Sequence, residues 1–435
     1  MYVPNNIKKN NILYLLNHKY DAGKKLDILD RAFTGHSKKK MTPSCFLPKL
    51  EGDKCTFIGS TFLELGEKEP YLNHMVALSK DKVTTPEVEN SEVICKKTEK
   101  GLLRAWVKTI KQQDPDIIIG YNIFGFDWHF LIDRAKELEE EDDFEKEFLE
   151  TMSRNRNEKN AKHDMIVRST TTVASGTYEL VYVKIPGRIQ IDLLNYFRKN
   201  ENLSSYKLDY VGQHFIGDDV KGYDSVGEKT TLKSKNLFGL KNGHYIVFEI
   251  KGHSSDKYLK GKKFKVKSLD LKNGSFEIDH RLDIDKKKKF RWCLAKDDID
   301  HMDIFRLSKG GPEDKAIVAK YCYQDCNLVH NLFIKNDIFT AMVEQAAICS
   351  VPIEFVAMRG QGIKLLSFIS KEARNAGMLI PVLEKSTSND GYEGAIVLIP
   401  KCNLYRDNPV ACNDYSSLYP SCMISENISH DSKVW

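Results

Sequence analysis

Three aspartates in this sequence stand at positions where a carboxylate could bind a metal ion. Asp127 ends the string Asn-Ile-Phe-Gly-Phe-Asp, Asp325 ends Tyr-Cys-Tyr-Gln-Asp, and Asp414 follows a short apolar run that is typical of a strand. Carboxylate oxygens are the ligands that hard divalent cations select. The three positions are therefore candidate metal ligands, and each must be weighed against a structural alternative.

Asp127 and Asp325 both have such an alternative. Asp127 lies at a strand-to-helix junction, where an aspartate commonly caps the helix, and taken alone this site favours the cap. Asp325 lies seven residues after Val318 in the apolar stripe of a helix, where a carboxylate is costly unless it is paired or binds a metal. A buried Asp–Arg pair is the alternative there. Tyr321, one turn before Asp325, projects from the same face.

Asp414 begins the string Asp-Tyr-Ser-Ser-Leu-Tyr-Pro-Ser. Pro420 suits the first turn of a helix, and backbone amides at such a helix start can face a phosphate. A lone aspartate at a strand end is a weak signal, whereas the eight-residue string is a specific one.

Hydrophobic patterning predicts the elements that position these residues. Apolar spacing predicts a helix through Trp128, Leu131, Ala135 and Leu138. The other predicted elements are a strand-rich stretch Cys55–Leu78, a helix Leu102–Lys111, a buried strand Ile117–Ile119, a helix Glu313–Asn336, helices over 340–380 broken at Gly360–Gly362, and strands Ala395–Ile399 and Val410–Cys412.

Residues 225–300 differ from the rest of the chain in composition and patterning, which predicts a small β-rich insertion. Asn273-Gly274 between apolar runs predicts a hairpin with a type I′ turn. Lysines cluster at 38–40, 260–263 and 286–289. Such a run is more often a solvated face than a DNA contact, so the lysines alone identify no partner.

Bulk composition narrows the class of protein without naming it. The chain has a net charge of +5, 41% hydrophobic and 29% charged residues, the mix of a globular protein. It has no apolar run of about 18 residues and no signal-peptide pattern at its start, which predicts an intracellular protein without a membrane partner. Its ten cysteines form no CxxC pair, so neither a zinc knuckle nor a disulfide framework is indicated.

Four motifs, in order, give the chain a resemblance to family B DNA polymerases. Asp414–Ser421 resembles their first polymerase motif, Dxx(S)LYPS, and Asn122–Asp127 resembles their second exonuclease motif, NxxxFD. Tyr321–Asp325 resembles the third exonuclease motif, YxxxD, and Tyr392–Ala395 the short YxG(G/A) motif between the two activities. The resemblance covers essentially the whole chain and looks most like the polymerases of large DNA viruses of algae and protists.

The resemblance implies a role for each matched residue. In a 3′–5′ exonuclease, Asp127 and Asp325 would bind metal and Tyr321 would orient the attacking water. In the polymerase site, Asp414 would bind both Mg²⁺ ions. The remaining implied contacts are Asn122, Phe126 and Lys207 to DNA, Tyr392 and Gly394 to the template backbone, Ser416, Ser417 and Leu418 to the triphosphate, and Tyr419 under the nucleotide sugar. For Asp192, at the end of another apolar strand, we favour a structural N-cap.

The implied fold is mixed α/β. An RNase H-like 3′–5′ exonuclease domain would span 51–340, with the β-rich insertion at 225–300. A polar, loop-rich stretch at 1–50 would precede it, and a helical connector (341–394) and the start of a polymerase palm (395–435) would follow. The implied cofactor is Mg²⁺ in two-metal sites, with Mn²⁺ as a substitute. The implied partners are primer-template DNA, deoxynucleoside triphosphates and a sliding clamp, in the host nucleus or a cytoplasmic virus factory.

The sequence also departs from the family pattern. The first exonuclease motif, Asp-x-Glu, is expected upstream of the second, yet the Asp-x-Glu of this chain is Asp143–Glu145, downstream in an acidic helix. We therefore expect a piece of a longer polymerase that alone does not polymerise and has little exonuclease activity. Two alternatives stay open. They are a stand-alone RNase H-like exonuclease, which leaves Asp414–Ser421 unexplained, and a non-catalytic scaffold, which predicts substituted metal ligands.

Overall fold

The computed structural model describes residues 52–139, 143–154, 165–173, 176–251, 255–285, 288–296, 301–380 and 394–429, with Asp21, Gly23, Ile299 and Ser432. The chain divides into two units, one ending at Gln361 and the other beginning at Gly362. Within the described ranges every helix is too short or too polar to span a bilayer. The predicted loop at 1–50 and the Tyr392 site lie outside the described residues, apart from Asp21 and Gly23.

Helices and strands are interspersed along the described ranges. The helices are α1 (Glu99–Gln113), α2 (Trp128–Glu137), α3 (Phe144–Thr151), α4 (Leu193–Asn200), α5 (Leu208–Phe215), α6 (His301–Ser308), α7 (Pro312–Lys335), α8 (Ile338–Cys349), α9 (Ile353–Met358), α10 (Gln361–Asn375) and α11 (Leu418–Ser425). The strands are β1 (Phe57–Phe62), β2 (Leu72–Leu78), β3 (Ser91–Lys96), β4 (Ile117–Gly120), β5 (Ile166–Val173), β6 (Gly176–Val183), β7 (Ile189–Asp192), β8 (Gly217–Val226), β9 (Lys229–Ser234), β10 (Tyr245–Lys251), β11 (Ser255–Lys257), β12 (Phe264–Asp270), β13 (Ser275–Ile278) and β14 (Phe290–Ala295).

Helix α1 packs one apolar face against the first sheet. Thr98 caps its start by accepting a hydrogen bond from the Gly101 amide, and Asp114 ends it in the left-handed conformation. Leu102 and Leu103 are fully buried in a core shared with β2 and α2. The sheet pairs β1 with β2 antiparallel and β2 with β3 parallel. The predicted helix at 102–111 and the strand-rich stretch are confirmed.

Helix α7 packs across this sheet and contacts its outer strands. The Gly59 carbonyl accepts a hydrogen bond from the Cys326 thiol at 3.8 Å, and the Thr61 carbonyl lies 3.2 Å from His330 Nε2. The Tyr323 hydroxyl donates to the Glu92 carbonyl at 3.0 Å. These contacts fix the rotation of α7 and pair carbonyls that an outer strand would otherwise leave open. The predicted helix at 313–336 is confirmed.

Strands β4 and β7 form a parallel pair that brings two loops together. Their register places Gly120 opposite Asp192. Parallel strands share the edge at which their carboxyl ends meet. The residues after β4, which include Asp127, therefore lie beside the carboxylate that ends β7.

Strands β8 to β14 close into a barrel. The hydrogen-bonded order is β11-β10-β12-β13-β9-β8-β14, and β14 pairs again with β10. Six strands thus complete a ring, and β11 extends β10 as a hairpin. Phe248, Phe276 and Trp292 are almost fully buried inside. Closure pairs the strands of the ring on both sides and so protects their edges. The β-rich character expected of 225–300 is present and begins at Gly217.

The hairpin between β12 and β13 is confirmed, but its predicted type I′ turn is wrong. Asp270 pairs with Ser275, so the loop has four residues. Gly274 has a positive φ (62°), whereas Asn273 is absent from the positive-φ residues of the described chain. The Asp270 carboxylate accepts from the amides of Lys272 and Asn273, and this Asx-type turn lengthens the loop.

In the second unit the predicted strands Ala395–Ile399 and Val410–Cys412 are wrong. Residues 394–417 contain neither helix nor strand, and Ile396 and Ile399 are each 93% exposed. β-Branched residues favour a strand only where a neighbour supplies hydrogen bonds and packing, and the described residues of this unit supply none. The break before α10 is confirmed, as is the expected position of Pro420 in the first turn of a helix, here α11.

Candidate active site

Asp127 ends a π-helical turn, Ile123–Asp127, between β4 and α2. Asn122 enters the turn with φ of 65°, a conformation that asparagine tolerates. A Cβ on Gly125 would lie 2.3 Å from the side-chain oxygen of Asn122. Gly125 is therefore required for the close approach of the Asn122 side chain. Single π turns inside helical segments occur frequently at functional sites.

Asp192 holds this turn in place. Its carboxylate accepts hydrogen bonds from the backbone amides of Asn122 at 2.8 Å and Phe124 at 3.0 Å. It also accepts from the Leu194 amide at 3.0 Å, so the predicted N-cap of α4 is confirmed. The tie to the Asn122–Asp127 turn is a second role that the N-cap prediction missed. Burial raises the pKa of Asp192 above its ordinary value, while these hydrogen bonds lower it.

Asp127 does not cap α2, because its side chain makes no capping hydrogen bond. The structural alternative for Asp127 is therefore wrong. The residue is exposed at one side, yet desolvation by surrounding protein atoms, and then the charge of Asp192, raise the pKa of Asp127 to about 6. A nearby cation would stabilise the ionised form of this carboxylate and lower its pKa.

The Asp127→Asn variant is expected to be more stable than the unchanged protein at pH 7.5. The pKa of Asp127 in the folded protein, about 6, lies above the ordinary 3.8, so folding favours the protonated form and the free energy of unfolding falls as pH rises through that window. Solvent screening reduces the gain from the variant to roughly 1 kcal/mol. Urea unfolding in EDTA at pH 7.5 and pH 4 measures it.

The gain should shrink towards zero at pH 4, because Asp127 is then largely protonated in the folded protein and close to half protonated in the unfolded chain. Asp53→Asn removes an exposed carboxylate outside the site and serves as the control. An Asp127→Asn variant less stable than the unchanged protein at pH 7.5 would contradict the assigned electrostatics.

Asp325 faces a lysine rather than the arginine of the structural alternative. Lys296 Nζ lies 2.8 Å from Asp325 Oδ2 and 5.2 Å from the centre of the Tyr321 ring. The nearby Tyr321 hydroxyl, like Lys296, lowers the pKa of Asp325. Desolvation nevertheless keeps the pKa of Asp325 above its ordinary value. The positive charge of Lys296 alone therefore does not fully offset the cost of burying the negative charge of Asp325.

Lys296 is the site residue that sequence reasoning missed. It follows β14 directly, so the closing strand of the barrel carries it to a small cavity that Tyr245, Tyr321 and Asp325 also line. Its separation of 29 residues from Asp325 gives no periodic signal. The available clue was a lysine near the end of the predicted insertion and before the helix that bears Asp325.

Asp127 and Asp325 come from neighbouring elements, because α7, which carries Asp325, contacts β4, the strand before the Asp127 turn. Desolvation raises the pKa of the partly buried Cys326 thiol in α7, and the charges of Cys322, Asp325 and Asp127 raise it further. In the described part of the chain, no three His, Cys, Asp or Glu side chains gather closely enough to form a metal cluster. The structure therefore brings the two exonuclease motifs near each other without assembling a complete metal site.

The expected DNA contacts near Asp127 lie at the surface. Phe126 is 61% exposed, and its ring stacks on Phe130 with 6.0 Å between centroids and 7° between planes. Lys207 is exposed at the start of α5. Exposed aromatic rings and lysines are the usual contacts of single-stranded nucleic acid.

The polymerase-motif residues lie in the second unit. The residues Asp414, Ser416, Ser417, Leu418, Tyr419 and Gly394 are all exposed. Ser417 has φ of 51° and precedes α11 as its N-cap residue, and Ser421 Oγ donates to the Ser416 carbonyl at 3.0 Å. The string thus forms a turn leading into a helix, and within this unit the described residues place no carboxylate cluster around Asp414.

Comparisons with known proteins agree with this arrangement. Residues 33–211 match the exonuclease domain of DNA polymerase family B, and residues 351–433 match DNA polymerase family B. The DNA polymerase of Phaeocystis pouchetii virus is 44% identical over 90% of this chain and 38% of its own length. That of Pyramimonas orientalis virus is 38% identical over 89% of this chain and 30% of its own length.

A more distant relative is the DNA polymerase delta catalytic subunit of Candida albicans, 26% identical over 88% of this chain. The chain spans less than two fifths of the length of these relatives. The two matched segments together cover more than half of the chain, in the order exonuclease then polymerase. The chain belongs to the family B DNA polymerases.

Proposed function

We propose that this chain carries the 3′–5′ proofreading exonuclease and the start of the palm of a template-directed DNA polymerase. The observation that carries the proposal is the contact of α7, which bears Tyr321 and Asp325, with β4, the strand that leads into the Asn122–Asp127 turn. The substrates would be primer-template DNA and deoxynucleoside triphosphates. A sliding clamp as partner, an intracellular site of action and the domain limits 51–340, 341–394 and 395–435 belong to the same proposal.

Asp127 and Asp325 fit a divalent cation by their chemistry. Both present hard oxygen donors, and both have a raised pKa that indicates insufficient positive charge nearby. Asp414 would serve the polymerase site in the same way. When bound, Mg²⁺ or Mn²⁺ would activate water and stabilise the leaving oxygen of the phosphodiester.

The side chains around these carboxylates orient the reacting groups. The Tyr321 hydroxyl, one turn before Asp325, would hold the attacking water, and Lys296, which contacts both residues, would restrain them when the site is free of DNA. Asn122 and Phe126 would bind the unpaired 3′ end beside Asp127. Tyr419 in α11 would pack under the sugar of the incoming nucleotide.

A chimera tests the exonuclease assignment. Residues 52–361 would replace the matching segment of the Phaeocystis pouchetii virus polymerase, which supplies the remaining length. We expect the chimera to remove mismatched 3′ nucleotides from labelled DNA, and Asp127→Ala or Asp325→Ala to slow removal by at least about 10²-fold, since each deletes preorganised charge at the reacting phosphate.

Primer extension by the same chimera is the matched control, because it uses carboxylates outside the grafted segment. Unchanged extension with lost mismatch removal supports the proposal. An Asp127→Ala chimera that still removes mismatches at the original rate would refute it.

A further inference from the structure

The positive charge of this protein is concentrated in the barrel segment. Residues 217–296 contain 20 lysines and arginines against 11 aspartates and glutamates, a net charge of +9. The whole chain has only +5, so the rest of the chain taken together is net negative. Charge of one sign on one module is the electrostatic footprint of a polyanion partner.

The two ends of the barrel have different surroundings. At one end, Tyr245 pairs with Ala295, and both line the cavity that contains Asp325. At the other end, which we call the distal end, β10 finishes at Lys251 and β14 begins at Phe290. Strand β10 has seven residues, so at about 3.4 Å per residue Lys251 lies roughly 20 Å along the strand from Tyr245. The segment that follows β11 runs back towards the site, since Lys263 Nζ donates to the Lys296 carbonyl at 2.7 Å.

The distal end brings together two lysine runs that are far apart in sequence. The Lys251 amide donates to the Lys289 carbonyl at 2.8 Å, and the Asp283 amide donates to the Tyr258 hydroxyl at 3.1 Å. The start of the segment 258–263 and the described residues 283–285 and 288–289 are therefore neighbours. Exposed lysines on both are Lys260, Lys262, Lys288 and Lys289.

A strained turn presents one of these lysines. Leu259 and Lys260 have φ of 46° and 57°, and consecutive left-handed residues are unfavourable when neither is a glycine. Gly261 follows with φ of 84°. Strain of this kind persists where surrounding structure enforces it and clusters at binding sites.

We propose that the distal end of the barrel binds the phosphate backbone of double-stranded DNA. The choice of DNA rests on the proposed polymerase function, and the choice of duplex on the surface itself. Single strands are held by exposed aromatic rings on which bases stack, whereas the exposed large apolar side chains described at this end are Val226 and Leu259. Among its described residues this end therefore has exposed lysines but no exposed aromatic ring. Such a surface suits the phosphates of a rigid duplex better than the bases of a single strand.

The test uses the full chain in EDTA, which makes it independent of catalysis. The variant Lys260→Glu, Lys262→Glu, Lys288→Glu, Lys289→Glu is compared with a control of equal charge change in the other part of the first unit. The control carries the substitutions Lys68→Glu, Lys80→Glu, Lys82→Glu and Lys108→Glu, all at exposed positions. Fluorescence anisotropy measures binding to a labelled duplex of about 20 base pairs at salt concentrations around the physiological range.

Loss of four phosphate contacts should make the slope of log K against log salt less steep by about 3.6 and weaken binding about 10³-fold at roughly 0.1 M salt. The control should retain the original slope. Equal slopes in the two variants would overturn the proposal, as would a loss confined to single-stranded oligothymidine. The matching four-fold Lys→Gln variant repeats the measurement if the glutamate variant fails to fold. A chimera that fails to remove mismatches while the full chain binds duplex normally would refute the exonuclease alone.

Discussion

Asp192→Ala is expected to lower the free energy of unfolding by about 4 kcal/mol, because it leaves three backbone amides without a hydrogen-bond acceptor. The amides of Asn122, Phe124 and Leu194 all donate to this carboxylate, and Asp192 is only 4% exposed. An unsatisfied buried donor costs about 1–3 kcal/mol. Urea unfolding followed by tryptophan fluorescence measures the loss, since Trp106 and Trp128 lie in the adjacent core.

The same substitution should release the turn that carries Asp127. In the chimera, mismatch removal by Asp192→Ala should therefore fall even at temperatures where the protein remains folded. Asp218→Ala is the matched control, because Asp218 also accepts two hydrogen bonds, from Ser234 and Asn236, but lies in the barrel. An Asp192→Ala protein as stable as the Asp218→Ala protein would show that water replaces the lost carboxylate.

Arg134→Met is expected to cost about 3–5 kcal/mol, because it leaves a buried glutamate without a counter-ion. Arg134 and Glu99 have side chains 3% and 4% exposed, with 2.7 Å between Nη2 and Oε2. A second bond of 2.7 Å joins Nε to Oε1. The pair ties α2 to α1, and α2 begins directly after Asp127, so the same change should also loosen the site.

Combining Arg134→Met with Glu99→Gln removes both charges but keeps a hydrogen-bond acceptor for the Cys55 amide, which donates to Glu99 at 2.8 Å in the unchanged protein. The double variant should recover more than half of the lost stability, because desolvation of an unpaired charge dominates the single variant. Chemical denaturation of the four proteins gives the coupling energy. Additive losses would mean that the pair contributes little.

Sequence-based prediction succeeded best where the signal was local. Helix α7, the β4 strand and the Asn273-Gly274 hairpin follow from spacing and turn chemistry within a few residues. The partner of Asp325 could not be found in this way, because Lys296 reaches it only through closure of the barrel. The tie between Asp192 and the Asn122–Asp127 turn has the same origin, since it depends on the register of β4 with β7.

The wrong predictions share one physical reason, which is that the local sequence did not determine the surrounding backbone. Ala395–Ile399 has the composition of a strand, but composition describes a residue that fits a sheet and cannot supply the sheet. Asp127 was expected to cap a helix when judged alone. The π turn before it instead leaves the carboxylate without a hydrogen bond to the α2 amides, a geometry that no short-range rule predicts.

Barrel closure also determines where the barrel segment joins the rest of the chain. Gly217 and Cys293 are paired neighbours, and the Leu294 amide donates to the Ile216 carbonyl at 2.9 Å. A Cβ on Gly217 would lie 2.2 Å from the Trp292 carbonyl, so entry and exit chains touch. A segment whose ends already meet adds only a small loop-closure cost to the chain, although this one shares its core with α5 and α7. Changes at the far end of the barrel should therefore leave the paired chain ends at Gly217 and Cys293 undisturbed.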